Sequence, residues 1–211
     1  MTQPPFILSA LVLCFTWAPC SVPAQVIGNP SLQVPSPAAA APEGWRADGR
    51  AERMAPDPAV LVEGRPARRV DYLVPAPYAG LVQPLDAAAL RGQRLLLEGW
   101  VAKDQEAAAA GLWVRAFDAQ RQSMAYANTY EQTLPADRQL RKQRLEFAVP
   151  AEAAFVLVGA SIYGASGSAW FGGMAARLVP AETAVGGDAA AKPPPAVSLT
   201  PVTSAASGVA R

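Results

Sequence analysis

The chain has 211 residues, 51% of them hydrophobic, and a formal net charge of +1. That length suffices for one domain with a core, and so small a charge gives no electrostatic footprint for nucleic acid or an anionic membrane surface. Histidine is absent, which removes the usual general base near neutral pH, the commonest metal ligand and every Ser-His-Asp or Cys-His arrangement.

Phe6 to Ala18 is an apolar run, and Val22 and Ala24 fit the small-residue pattern before a cleavage point. This predicts a signal peptide over residues 1–24 with Gln25 as the mature start, although Met1 to Pro5 lacks the usual Lys or Arg. The run is short for a membrane span. Both cysteines, Cys14 and Cys20, lie in this segment. The mature chain is therefore expected to hold no disulfide and no sulfur-ligated metal. Its expected place is the periplasm or the cell exterior, free of the membrane once cleaved.

Gln25 to Pro42 is rich in Pro, Ala and Ser, and Trp45 follows in a polar setting. Trp45 is expected to plug one end of a sandwich. Ala47 to Asp71 is charged and broken by Pro56, Pro58, Gly64 and Pro66. Two short strands fit there, Ala59 to Glu63 and Ala67 to Asp71. Arg65, Arg68 and Arg69 read as a solvated edge, because no glycine-rich turn leads into a helix. Ala79 to Leu85 reads as a strand. Asp86 to Gly92 is one helical turn, with Asp86 as N-cap and Gly92 as stop.

The strongest strand signals come next: Leu95 to Ala102, Gly111 to Phe117, Phe155 to Tyr163 and Ser168 to Phe171. They are short, β-branched or aromatic, and bounded by turn residues. Met124 to Tyr130 alternates with period two, and Leu140 to Val149 alternates less cleanly before Pro150 stops it. From Ala181 onwards almost no large apolar residue remains, so residues 181–211 are expected to be a disordered Pro/Ala-rich tail. The whole predicts an antiparallel β-sandwich, a jelly roll of about eight strands, over residues 25–180.

The chemistry available is that of binding. Glu98 and Glu146 are the only acids well inside predicted strands, and both are expected to face solvent rather than to form a glycosidase pair. Ser161, Ser166 and Ser168 have no histidine to activate them. The chain is therefore read as non-catalytic and without a cofactor. On the strand Gly111 to Phe117, Leu112, Val114 and Ala116 share one face and Trp113, Arg115 and Phe117 the other. Tyr126, Asn128 and Tyr130 share a face of the next strand. Trp113, Arg115, Tyr126, Asn128 and Tyr130 would then form one surface combining aromatic planes, an amide and a guanidinium, the mixture a polysaccharide needs. Trp113 and Trp170 fit the space between two sheets equally well. A protein of the cell envelope is the other partner class open to such a domain.

The order Asn29-Pro30, Gly44-Trp45, Val82-Gln83-Pro84-Leu85-Asp86, Leu97-x-Gly99-Trp100-Val101, Gly111-Leu112-Trp113-Val114-Arg115, Tyr126-Ala127-Asn128 and Gly167-x-Ala169-Trp170 resembles the galactose-binding-like jelly roll of secreted carbohydrate-binding modules. It is similar more closely to a widespread bacterial domain of that fold. The resemblance covers about residues 27–178. Such modules usually carry Asn-Pro-x-Phe-Glu near the start and an acidic pair after the last aromatic, and in many of them these acids help hold a structural calcium. Here Leu32 and Gln33, and Gly172 and Gly173, stand in those places. Hard cations need several oxygen ligands, preferably charged, so no metal is expected.

Overall fold

The structure is a computed structural model that describes residues 25–36, 41–73, 78–107, 109–164 and 166–180. The signal segment assigned to residues 1–24 and the tail assigned to residues 181–211 lie outside them.

Among the described residues ten strands form two antiparallel sheets of five. The first sheet has the order β1 (Arg46–Gly49), β4 (Tyr78–Leu85), β9 (Phe155–Tyr163), β6 (Ala109–Phe117), β7 (Ser123–Asn128). The second has the order β2 (Ala51–Val62), β3 (Arg65–Tyr72), β10 (Gly167–Val179), β5 (Arg94–Lys103), β8 (Arg141–Ala148). The expected sandwich is present, with ten strands instead of about eight. β1 went unseen because its four edge residues hold no large apolar side chain and carry no alternation. β2 is longer than its sequence pattern suggests: prolines cannot donate to a ladder, but an edge strand accommodates them, and Pro56 and Pro58 sit on the edge strand of this sheet.

The inward rows of the two sheets meet in one core that includes Leu81, Leu97, Val101, Leu112, Val114, Val158, Ile162 and Phe171, all buried. Trp45 is buried too, and its indole N–H reaches the carbonyls of Gly28 and Asn29 at 3.2 and 3.3 Å. Helix α1 (Ala87–Leu90) is one turn, and Asp86 caps it by accepting from the Ala88 N–H at 3.0 Å. β10 runs past the point where the glycine pair seemed to end it. Its register with β5 shifts between Gly172 and Ala175, so the glycines form a bulge inside the strand.

Two readings of charged residues need correction. Of the three arginines assigned to a solvated edge, only Arg65 is exposed. Arg68 is buried and donates to the Leu32 carbonyl at 2.8 Å, while Arg69 pairs with Asp71 and Ser168. Glu98 lies on the outer face of the second sheet, yet Arg177 and Lys142 close over its carboxylate and bury it. Glu146 is partly open and holds Arg94 and Arg144.

Candidate functional site

Strand alternation sends Leu112, Val114 and Ala116 of β6 into the core and Trp113, Arg115 and Phe117 outward. The β6–β7 register sets Asn128 opposite Trp113 and Tyr126 opposite Arg115. Four of the five candidate residues therefore share one stretch of the outer face of the first sheet. Tyr130 arrives differently. β7 stops at Asn128, whose side-chain oxygen accepts the Tyr130 N–H at 2.9 Å and turns the chain. The Tyr130 ring then lies over Gly111, where a Cβ would stand only 2.9 Å from its Cδ1. Its edge packs on Tyr163 of β9 at 4.5 Å between centroids, and Tyr163 lies 5.6 Å from Tyr78 of β4. Three tyrosines thus make a row across the sheet.

Trp113 is the floor of this face. Its ring lies across Gly159, where a Cβ would be 2.3 Å from its Cε2, and its indole N–H donates to the Ser161 hydroxyl at 2.8 Å. At 6% exposure it is covered, whereas Tyr78, Tyr126, Tyr130 and Tyr163 stay partly open. The Arg115 guanidinium stacks 4.5 Å from the Tyr126 ring centroid and 5.9 Å from that of Phe117. At the far side Tyr78 donates to Asp48 of β1 at 3.1 Å.

Two buried polar atoms on this face stand out: Arg115 Nε has no hydrogen-bond partner, and the Tyr130 hydroxyl has no well-formed one, meeting only the Tyr163 and Ser161 hydroxyls. Each such atom costs about 1–3 kcal/mol unless something completes it. Burial drives the Tyr130 hydroxyl pKa well above the usual tyrosine range, and the nearby Tyr163 and Tyr126 add to this. Burial likewise raises Tyr163 and Tyr78. The phenols thus remain neutral, able both to donate and to accept. Burial also raises the Asp48 carboxyl, partly offset by the Tyr78 hydrogen bond.

Sequence reasoning missed Tyr78, Asp48 and Ser161. Period two gives the face of a residue but not which strands become neighbours, and β4, β9 and β1 join this sheet from distant parts of the chain. Only Tyr163 carried a signal, as an aromatic at a strand end.

The calcium that the sequence resemblance implies does not fit these residues. The 29–34 loop, strained at Asn29 and Leu32 by positive φ, is tied by N–H donors. The Gln33 amide donates to the carbonyls of Ser31 and Pro66 at 3.0 and 2.5 Å, and Arg68 to that of Leu32. No cluster of three or more His, Cys, Asp or Glu suited to a metal occurs among the described residues. Thermal unfolding should accordingly give the same midpoint with calcium and with chelator. Arg68→Ala should lose about 1–3 kcal/mol by orphaning the Leu32 carbonyl. A midpoint that climbs with added calcium would contradict this.

No protein-family model matches the chain, and no curated protein matches it either. Solved structures do. A xylan-binding domain of CBM22 is 12% identical, with a TM-score of 0.52, over 74% of this chain and 96% of that one. The CBM22-1 xylan-binding domain from Paenibacillus barcinonensis Xyn10C is 14% identical, with a TM-score of 0.50, over 66% and 88%. The enzymatically active domain of bacteriophage CBA120 tailspike protein 4 gives 14% and a TM-score of 0.53 over 74% of this chain. This chain spans only 21% of that tailspike structure. The chain therefore has the galactose-binding-like jelly-roll fold found in carbohydrate-binding modules.

Proposed function

We propose that this chain is an exported, non-catalytic module that binds carbohydrate along the outer face of the first sheet. The observation that carries the reading is the buried, unpartnered Arg115 Nε, with the poorly partnered Tyr130 hydroxyl on the same face, set among tyrosine planes. Sugar rings stack their C–H faces on aromatics, and their hydroxyls and carboxylates complete donors and acceptors of this kind. Tyr126, Tyr163 and Tyr78 supply planes. Arg115 and the Asn128 amide supply directional bonds, and Arg115 favours a carboxylate-bearing sugar. Xylan-binding domains of the same fold support the assignment. Non-catalysis is supported by the two acids that the sequence places well inside strands, Glu98 and Glu146. Both lie on the opposite sheet and are held in ion pairs.

A glycan array followed by affinity electrophoresis tests the reading. Wild type should bind a soluble polysaccharide with a Kd on the order of micromolar to millimolar, because a shallow face buries little area. Tyr126→Ala and Arg115→Ala should each weaken binding about tenfold or more while keeping the β-sheet circular dichroism. If wild type binds no glycan, or both variants unfold, the face is structural and a protein partner of the envelope becomes the better reading.

A further inference from the structure

The second sheet carries a site of its own. The bulge in β10 and the 29–34 loop enclose, with the β2–β3 turn, a cleft of about 380 Å3 on the outer face of that sheet. Gly173 makes the cleft possible. It sits at a φ of +55°, and a Cβ there would be 2.9 Å from Cδ1 of Trp100 and 3.0 Å from Cγ1 of Val62. Trp100 packs against the small cluster of Val62, Ala102 and Trp170, and its partly exposed remainder borders the cleft.

The polar side of the cleft is built around Glu98. Its Oε2 accepts from Arg177, and Lys142 Nζ lies 3.4 Å from its Oε1. Although burial opposes ionisation, these two cations hold the carboxyl below the usual range. Glu98 thus uses one N–H of Arg177 and one of Lys142. A guanidinium has five N–H donors and an ammonium three. The Arg177 and Lys142 side chains remain 34% and 54% exposed, so their other donors are available. Arg65 adds a third cation at the β2–β3 turn, against Glu63 and Glu98. The cleft therefore has one positive charge in excess.

We propose that this cleft is a second saccharide site, separate from the tyrosine face, and that it takes a uronic acid unit. Its carboxylate meets the free donors of Arg177, Lys142 and Arg65, and the C–H face of its ring lies on Trp100. The volume is that of a small-ligand site, enough for one or two sugar units. The site shares no residue with the first face, so it stands whether or not that face binds glycan.

Calorimetric titration with trigalacturonic acid, with neutral galactotriose as comparison, tests it. Wild type should bind trigalacturonic acid with a Kd on the order of micromolar to millimolar, weaker at high salt. Lys142→Gln, a change at an exposed position, should weaken it about fivefold, and Trp100→Ala about tenfold. Tyr126→Ala, which silences the tyrosine face, should leave the Lys142-sensitive part of this binding within about twofold. Galactotriose binding should not respond to Lys142→Gln. If Trp100→Ala does not fold, Lys142→Gln alone decides. The proposal is overturned if trigalacturonic acid fails to bind, if Lys142→Gln leaves its affinity unchanged, or if Tyr126→Ala abolishes it, in which case the binding belongs to the first sheet.

Discussion

Gly159→Ala should destabilise the domain by about 1–3 kcal/mol and abolish the glycan binding proposed for the tyrosine face. The added Cβ would stand 2.3 Å from Cε2 and 2.4 Å from Cζ2 of Trp113, and 2.7 Å from the Leu81 carbonyl oxygen. The indole cannot slide aside, because its N–H is bonded to Ser161. The Leu81 oxygen cannot move either, since it belongs to the adjoining strand β4. Relief must come from lifting Trp113 off the sheet, and Trp113 is the floor on which the face rests. Urea unfolding gives the stability loss, and affinity electrophoresis gives the binding loss. Gly64→Asn is the control. Nothing lies within 4 Å of a Cβ there, and asparagine tolerates the positive φ of 76°. It should leave glycan binding on the tyrosine face unchanged. Full retention of both stability and binding in Gly159→Ala would refute the described packing.

Trp170→Ala should cost more, about 3–5 kcal/mol. Trp170 is buried on the outer face of the second sheet, beneath β2. Arg69 and Arg138 stack on it at 5.5 and 5.7 Å, and its indole N–H donates to Asp57 at 2.7 Å. Trp170→Phe separates packing from the hydrogen bond. The Asp57 carboxyl lies below its ordinary value of 3.8, chiefly because of that indole bond. A carboxyl lowered by folding stabilises the protein above its unfolded pKa, and that gain disappears as pH falls through the folded value. The stability gap between wild type and Trp170→Phe should therefore be constant near neutral pH and shrink below about pH 4. Unfolding midpoints across pH 2–7 check this, and a gap that widens in acid would be the wrong sign.

The central strands were legible because burial on both sides demands apolar, β-branched residues. Phe155 to Tyr163 and Leu95 to Ala102 are apolar over most of their length. Edges were not legible. β1 is short with no large apolar side chain, and β2 holds two prolines. Glu98 illustrates a second limit. Its outward position was readable from alternation, but its burial comes from Arg177 and Lys142, 79 and 44 residues away along the chain. The candidate face was half readable for the same reason. The β6–β7 hairpin is local, so Trp113, Arg115, Tyr126 and Asn128 could be placed together. The tyrosine row needed the partners of β9, which only the topology supplies.

That topology also governs how the chain can come into being. Among the described residues β9 and β10 are the last two strands in sequence, yet each is the middle strand of its sheet. Before Phe155 is synthesised, β4 has no partner to join it to β6, and β3 none to join it to β5. A nascent chain therefore holds hairpins and half-sheets with four open edges. Neither half of the core can close until the final strands thread between them. Folding waits for completion, and such non-local pairing is slow. Open edges are templates for pairing with other chains, so the interval between synthesis and closure is when this domain is most exposed to aggregation. A ribosome paused before β9 would hold it there.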